Sequence, residues 1–360
     1  KVLVGQRRVG KSYILRQVIS DLVAEGVPAR ATLYINMEFV EYDFIRNAKD
    51  LLELVNSFFA GHEGPAYVFV DEIQSIPAWE KAVNSLAQDF TREVFIYITG
   101  SNAQLLSSEL ATFLSGRYVK FLILPFSFAE YAGMLGQKQD KPTFLAYLSS
   151  GGLPELFHLE DDESKRLYLS AIYDTVILRD IVQRYQIRDI DLLKDIVAFI
   201  ANNISNLVSI SNLVNYFNSQ KRKTNYETVA QYLIYLEQAH IIHRCERYKI
   251  KGKEILSGTA KYYLNDLSFK NYLYRGFEHG LGYLLENLVY LQLLYQEYEV
   301  YVGQLRNGEI DFVAMRNDQR LYVQSTWSLL SELTMDREYR PLLSLQDHYR
   351  KLIVSTDDIA

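Results

Sequence analysis

The chain has 360 residues, 49% of them apolar and 23% charged, with a formal net charge of −6. That length exceeds what one hydrophobic core usually organises and predicts two or three domains. The composition excludes a disordered or collagen-like chain, and the acidic balance excludes a generic polyanion binder. The single cysteine, Cys245, excludes an internal disulfide and a Cys-rich zinc module, and fits a reducing cytoplasm.

No apolar run reaches the ~18 residues of a membrane helix, so no membrane partner is expected. The longest uncharged stretch, from Ile196 to Gln220, is broken by asparagines and serines. No signal-peptide pattern is present, and the opening at Lys1 without a methionine predicts a further segment upstream. Tyrosine is frequent, at 28 residues.

Strands are expected at Lys1–Val4, Thr32–Asn36, Tyr67–Val70, Val94–Thr99 and Tyr118–Leu124, alternating with amphipathic helices in the pattern of a parallel α/β sheet. Tyr67–Val70 and Val94–Thr99 belong to continuous apolar runs, as strands covered on both faces require.

The stretch from Gly5 to Ser12 reads Gly-Gln-Arg-Arg-Val-Gly-Lys-Ser and fits the pattern G-x4-G-K-[ST] between a strand and a helix. Its glycines let backbone N–H groups wrap phosphates at a helix N-terminus, where the dipole favours negative charge. Lys11 would reach the β- and γ-phosphates and Ser12 would coordinate Mg²⁺. Gly5, Arg7, Arg8, Val9, Gly10, Lys11, Ser12 and Tyr13 form the expected nucleotide-binding set.

The apolar strand before Asp71-Glu72 ends in two acids. Asp71 is placed to complete the Mg²⁺ shell with Ser12, and Glu72 to orient the attacking water as general base. Asn102, after the next strand, is expected to position that water or bond the γ-phosphate. Singly, these pieces read equally as a loop glycine, an N-cap aspartate or a turn. In series, at the carboxyl ends of parallel strands, they read as an NTPase site. Adenine is the default base, because Asn47-Ala48-Lys49-Asp50 has the wrong spacing for guanine recognition.

These motifs continue with Asp71-Glu72-Ile73-Gln74, Trp79-Glu80, Thr99-Gly100-Ser101-Asn102, Leu114-Ser115-Gly116-Arg117 and Pro125-Phe126-Ser127-Phe128 with Glu130-Tyr131. In this order they resemble, over nearly the whole chain, the prokaryotic AAA-type ATPases. Those proteins carry a C-terminal domain of uncharacterised function related to restriction endonucleases. The resemblance implies site roles for Lys11, Asp71, Glu72 and Arg117. Arg117 would neutralise charge developing on the γ-phosphate, a role for which Arg7, Arg8 and Arg179 also compete.

From Phe126 to Ile187 the pattern is helical, with Leu169, Ile172, Tyr173, Val176 and Ile181 as its apolar stripe. Farther on, Thr224-x-x-Glu227 predicts a capping box opening a helix with Val229, Leu233 and Leu236 on one face. A shorter helix over Ser211–Phe217 precedes it, and strands Ile241–Ile250 and Glu254–Leu264 follow around Lys251-Gly252-Lys253. Helix, turn, helix and wing outline a winged helix.

Nine basic and four acidic residues lie between 221 and 261. That surplus is the footprint of a nucleic-acid face, with Lys221, Arg222, Lys223, Lys251 and Lys253 as the candidate DNA contacts. A solvated wing serving protein contacts is the competing reading. His240, His243 and Cys245 lack a fourth ligand and read as wing structure rather than zinc site.

In the last segment, Glu286 on an apolar helix, Glu309 and Asp311 two apart on a strand, and Gln324 on the next strand resemble the metal site of restriction-endonuclease-like folds. The pattern departs from active nucleases: Gln324 stands where an acid is expected and Thr326 where a lysine is. A neutral amide is a poor Mg²⁺ ligand, so the site is expected to be degenerate.

The expectation is an α/β chain in four parts. Residues 1–125 form a P-loop AAA-type ATPase domain, 126–190 a helical lid, 191–266 a winged-helix-like module, and 267–360 a smaller, degenerate restriction-endonuclease-like domain. Function is expected as a cytoplasmic, Mg²⁺-dependent ATP-binding and hydrolysing switch that couples nucleotide state to a DNA- or protein-binding C-terminal region, with DNA through the winged-helix module and further copies of itself as the candidate partners. The alternatives are a nucleotide-gated regulatory or defence protein acting through protein partners, and an ATP-dependent nuclease.

Overall fold

Every residue of β1 (Val2–Val4) is buried, because this short strand lies inside a sheet with helices on both faces. Val2 and Val4 join one core and Leu3 the other. The computed structural model describes residues 1–89, 91–100, 114, 118–274, 280–306 and 308–357, and the chain divides into two units, Lys1–Ile123 and Leu124–Ala360.

In the first unit β1 is followed by α1 (Lys11–Ala24), β2 (Thr32–Asn36), α2 (Ala48–Phe58), β3 (Ala66–Asp71), α3 (Trp79–Ala87), β4 (Val94–Gly100) and β5 (Lys120–Leu122). All strand pairs are parallel, in the order β2-β3-β4-β1-β5. α1 packs Leu15 against Leu3, Phe69 and Tyr97 on one face. α2 and α3 pack Leu51, Val55, Val83 and Leu86 against Val4, Ile35, Val68 and Ile98 on the other. The five expected strands are present, the first and last shortened at their ends.

The second unit begins with α4 (Phe128–Met134), α5 (Lys141–Ser150) and α6 (Asp162–Thr175). The Ser127 to Glu130 segment is a capping box, in which Glu130 N–H donates to Ser127 Oγ and Ser127 N–H to Glu130 Oε2. α6 runs into a π-helical stretch, Val176–Gln183. Val176, Ile177 and Ile181 of this stretch are buried, continuing the apolar stripe of Leu169, Ile172 and Tyr173.

Next come α7 (Ile190–Asn202), β6 (Leu207–Ser209), α8 (Ile210–Ser219), α9 (Tyr226–Gln238), β7 (Ile242–Lys249) and β8 (Glu254–Leu264). The capping box expected at Thr224 is corrected to a simple cap one residue later. Asn225 is extended and its side-chain oxygen accepts the Thr228 N–H at 2.8 Å.

α10 (Leu281–Tyr295), β9 (Glu299–Leu305), β10 (Gly308–Arg316), β11 (Gln319–Ser325), α11 (Glu332–Leu343) and β12 (Arg350–Val354) complete the unit. Its sheet runs β12-β11-β10-β9-β7-β8-β6. The expected module boundary at 266/267 therefore falls within one continuous sheet, because β7 pairs in parallel with β9. α10 covers one face with Leu285, Val289, Tyr290 and Leu293, while Leu342 of α11 packs on the other. Many tyrosines serve as neutral donors to carboxylates: Tyr295 to Glu130 and Tyr322 to Asp347, both at 2.7 Å.

Among the described residues no helix is long and apolar enough to cross a membrane.

Candidate functional site

The phosphate-loop candidates lie between β1 and α1. Gly5 has φ +153°, and a Cβ there would meet the Ile123 carbonyl oxygen at 2.2 Å, so the loop leaves β1 by a path only glycine follows. Gly10 caps α1 with φ +98° and offers no side-chain hydrogen bond; the first turn carries no acid. The first helical bond is Ile14 N–H to the Gly10 carbonyl. The amides before it, with the helix dipole, suit an anion.

Lys11 is 5% exposed, and its ammonium donates to the carbonyls of Gly5 at 2.9 Å and Gln6 at 2.8 Å. Val9 is buried, Ser12 half-buried, and Arg8 and Tyr13 exposed. Arg7 pairs with Glu38 at 3.8 Å. These residues fit a nucleotide with its Mg²⁺: donors and a cation line the loop, and the buried acid Asp71 ends a strand at the same sheet edge.

Because β4 lies between β3 and β1, its end stands beside Asp71. Thr99 donates its hydroxyl to Asp71 Oδ1 and accepts the Glu72 N–H at 3.1 Å. From the other side Tyr34 OH donates to Asp71 Oδ2 at 3.0 Å and Asn36 Nδ2 at 3.4 Å. Burial, reinforced by the Asp71 charge, raises the Tyr34 phenol above its ordinary range. Glu72 adopts the left-handed φ of +55°, which turns the chain sharply after β3, and its carboxylate accepts from Gln74 Nε2.

Sequence reasoning missed Tyr34, Asn36 and Thr99 as partners of Asp71. The available signal was register: Asn36 lies opposite Asp71, and Tyr34 shares its face. The expected Asn102 and Arg117 lie outside the described residues. Arg179, a competitor of Arg117, is exposed on the π-helical stretch.

The basic surplus of residues 221–261 is smaller at the surface than in the sequence. Arg222 is paired with Asp195 at 2.8 Å and Asp189 at 3.4 Å, Lys249 with Glu254 at 2.7 Å, and Arg244 with Glu246 at 3.2 Å. Lys261 points inward. Lys221, Lys223, Lys251 and Lys253 are exposed. The zinc candidates have other partners: His243 Nε2 lies 2.7 Å from Asn265 Oδ1, and Cys245 Sγ donates to the Val300 carbonyl at 3.4 Å.

The structure brings Glu286, Glu309 and Asp311 together around Lys261, whose Nζ lies 3.0, 2.7 and 3.7 Å from them. A register shift between Ile310 and Val313 re-aims the strand: these two residues join one core, while Phe312 and Ala314 join the other. Gln324 lies in the same site, accepting the Asp311 N–H at 3.2 Å. Burial pushes Glu286 up to about 7 against the pull of Lys261, and raises Asp311. Burial alone would lower the lysine, but Glu286, Asp311 and Glu309 together hold it above its ordinary range.

Residues 1–132 match the model of an AAA domain, and residues 141–279 match a domain of unknown function, DUF8612. An uncharacterized protein of Haemophilus influenzae is 36% identical over 99% of this chain and 88% of its own length. The uncharacterized protein MJ1544 of Methanocaldococcus jannaschii is 30% identical over 94% of this chain and 77% of its own.

The chain belongs to the family of these two proteins, with an AAA domain over residues 1–132.

Among solved structures, the Walker-type ATPase PABY2304 of Pyrococcus abyssi is similar with TM-score 0.49 and 17% identity, covering 76% of this chain and 90% of that one. The RuvB Holliday junction branch migration motor of Thermotoga maritima gives TM-score 0.32 and 17% identity, covering 68% and 81%.

Proposed function

We propose that this AAA-type protein is an Mg²⁺-dependent ATPase acting as a switch, in which nucleotide state governs how residues 124–360 engage a partner, with DNA the first candidate. The observation that carries the reading is the junction of the two acids: Thr99 ties Asp71 to the Glu72 backbone at the edge that also bears the phosphate loop. In this reading Lys11 exchanges its bonds to Gly5 and Gln6 for the phosphates, and the amides at the start of α1 hold the anion. Ser12 and Asp71 hold Mg²⁺, which when bound offsets phosphate charge. Glu72 orients water, with Asn102 assisting and Arg117 neutralising developing charge.

The winged-helix reading of residues 191–266 rests on α8, α9 and the β7–β8 hairpin in succession. The DNA contacts then reduce to Lys221, Lys223, Lys251 and Lys253, with Arg222 held by its two aspartates. Residues 267–360 serve as a restriction-endonuclease-like platform without cleavage, since Gln324 and Thr326 replace the acid and lysine of that site. The working place is the cytoplasm, and self-assembly is the route by which an arginine reaches a neighbouring site.

A calorimetric titration of ATP into wild type and Lys11→Ala tests the nucleotide site. Affinity should be lost in the variant, and unchanged affinity would contradict the assignment.

A second reading, partner proteins without DNA, is favoured by the internal pairing of Arg222, Lys249 and Arg244. It predicts no salt-dependent DNA affinity, whereas the DNA reading predicts a steep salt slope.

A further inference from the structure

A restriction-endonuclease-like site gathers its carboxylates around a divalent cation, and the residues present here do not fit one. The centre of Glu286, Glu309 and Asp311 is taken by the Lys261 ammonium, within 3.7 Å of all three, on a side chain only 6% exposed. The ammonium donates to Glu286 and Glu309, and Asp311 faces it as an ion pair at 3.7 Å. Two of the three carboxylates accept further hydrogen bonds. Glu286 Oε1 also accepts from Tyr263 OH at 2.7 Å, and Asp311 Oδ2 accepts from the Ser325 N–H at 2.8 Å and Ser325 Oγ at 3.1 Å.

Lys261 reaches this place across the sheet. It stands on β8, with β7 and β9 between it and the acids of β10. Its cross-strand partner on β7 is the small residue Cys245, which leaves room for the lysine stem. Among the described residues no three His, Cys, Asp or Glu side chains are grouped so as to hold a metal ion.

We propose that Lys261 is a resident cation: its ammonium stands where a divalent metal would lie among Glu286, Glu309 and Asp311, and closes this nuclease-like site to Mg²⁺. A metal entering the trio has to displace a tethered, buried ammonium or lie beside it against charge repulsion. Neither route is open while the lysine keeps its three partners. The inference rests on the nuclease-like reading of the C-terminal strands, and nucleotide turnover does not enter it.

The test uses the full chain without nucleotide. In EDTA, Lys261→Met should melt about 6 °C or more below wild type, since the trio is left buried without a cation. Mn²⁺ should restore that loss, and Lys261→Met/Asp311→Asn should not respond to Mn²⁺. Wild type should show no Mn²⁺ binding that Glu309→Gln removes, read by electron paramagnetic resonance. Mn²⁺ bound by wild type and lost in Glu309→Gln would overturn the proposal. So would a folded Lys261→Met that takes up no Mn²⁺, because the carboxylates are then no metal site with or without the lysine. Where Lys261→Met does not fold, the wild-type measurement decides by itself.

Discussion

Thr99, at the end of β4, donates its hydroxyl to Asp71 and receives the Glu72 amide on the same oxygen at 3.1 Å. One neutral side chain thereby sets the orientation of the first acid and the backbone position of the second. A strand inserted between the phosphate-loop strand and the acidic strand is what makes this contact available.

Thr99→Val keeps the shape and removes both bonds. Turnover should fall about 10–100-fold, the usual effect of removing a residue that orients a metal-binding acid, with ATP affinity little changed. Thr99→Ser should recover most of the rate. Steady-state turnover beside calorimetric binding separates the two quantities, and an unimpaired Thr99→Val would remove Thr99 from the site.

The start of α9 gives a stability test. Asn225→Ala removes the cap on the Thr228 N–H and should cost about 1 kcal/mol in urea unfolding. Thr224→Ala should cost distinctly less, because Thr224 does not cap the helix. The reverse order would restore the capping box that the sequence pattern suggested.

Burial pushes Glu237 up to about 7, with Arg244 pulling it down and Glu246 adding to the rise. The folded state therefore holds a proton that the unfolded state, near 4.5, has released. Stability from this group is complete below pH 4.5 and is lost as pH climbs to about 7. Glu237→Gln should flatten the fall in melting temperature over that window. An unchanged slope would show that Glu237 titrates normally in the fold.

Much of the first unit was legible because its signals are local. Thr32–Asn36 is an apolar strand at its expected bounds, and the glycine-lysine-serine loop sits between strand and helix as its spacing requires. The second unit was legible as elements but not as an assembly. Residues 254–264 read correctly as a strand, yet nothing local reveals that Lys261 faces the acids of a strand some 50 residues later, so it was counted as surface charge. Glu286, Glu309 and Asp311 were grouped by pattern, and their counter-ion was not, because a lysine on a strand looks the same whether it points out or in. Thr224 and Asn225 both suit an N-cap, and only the backbone torsions choose between them. Tyr34 and Asn36 were invisible as site residues because strand register, not spacing along the chain, carries them to Asp71.

The measurement closest to the central claim is ATP turnover with Mg²⁺, wild type beside Glu72→Gln, each with and without duplex DNA. Wild-type turnover should rise with DNA, and the variant should bind ATP without hydrolysing it. Equal turnover in Glu72→Gln, or wild type inert with and without DNA, would contradict an ATP-hydrolysing switch centred on Asp71 and Glu72.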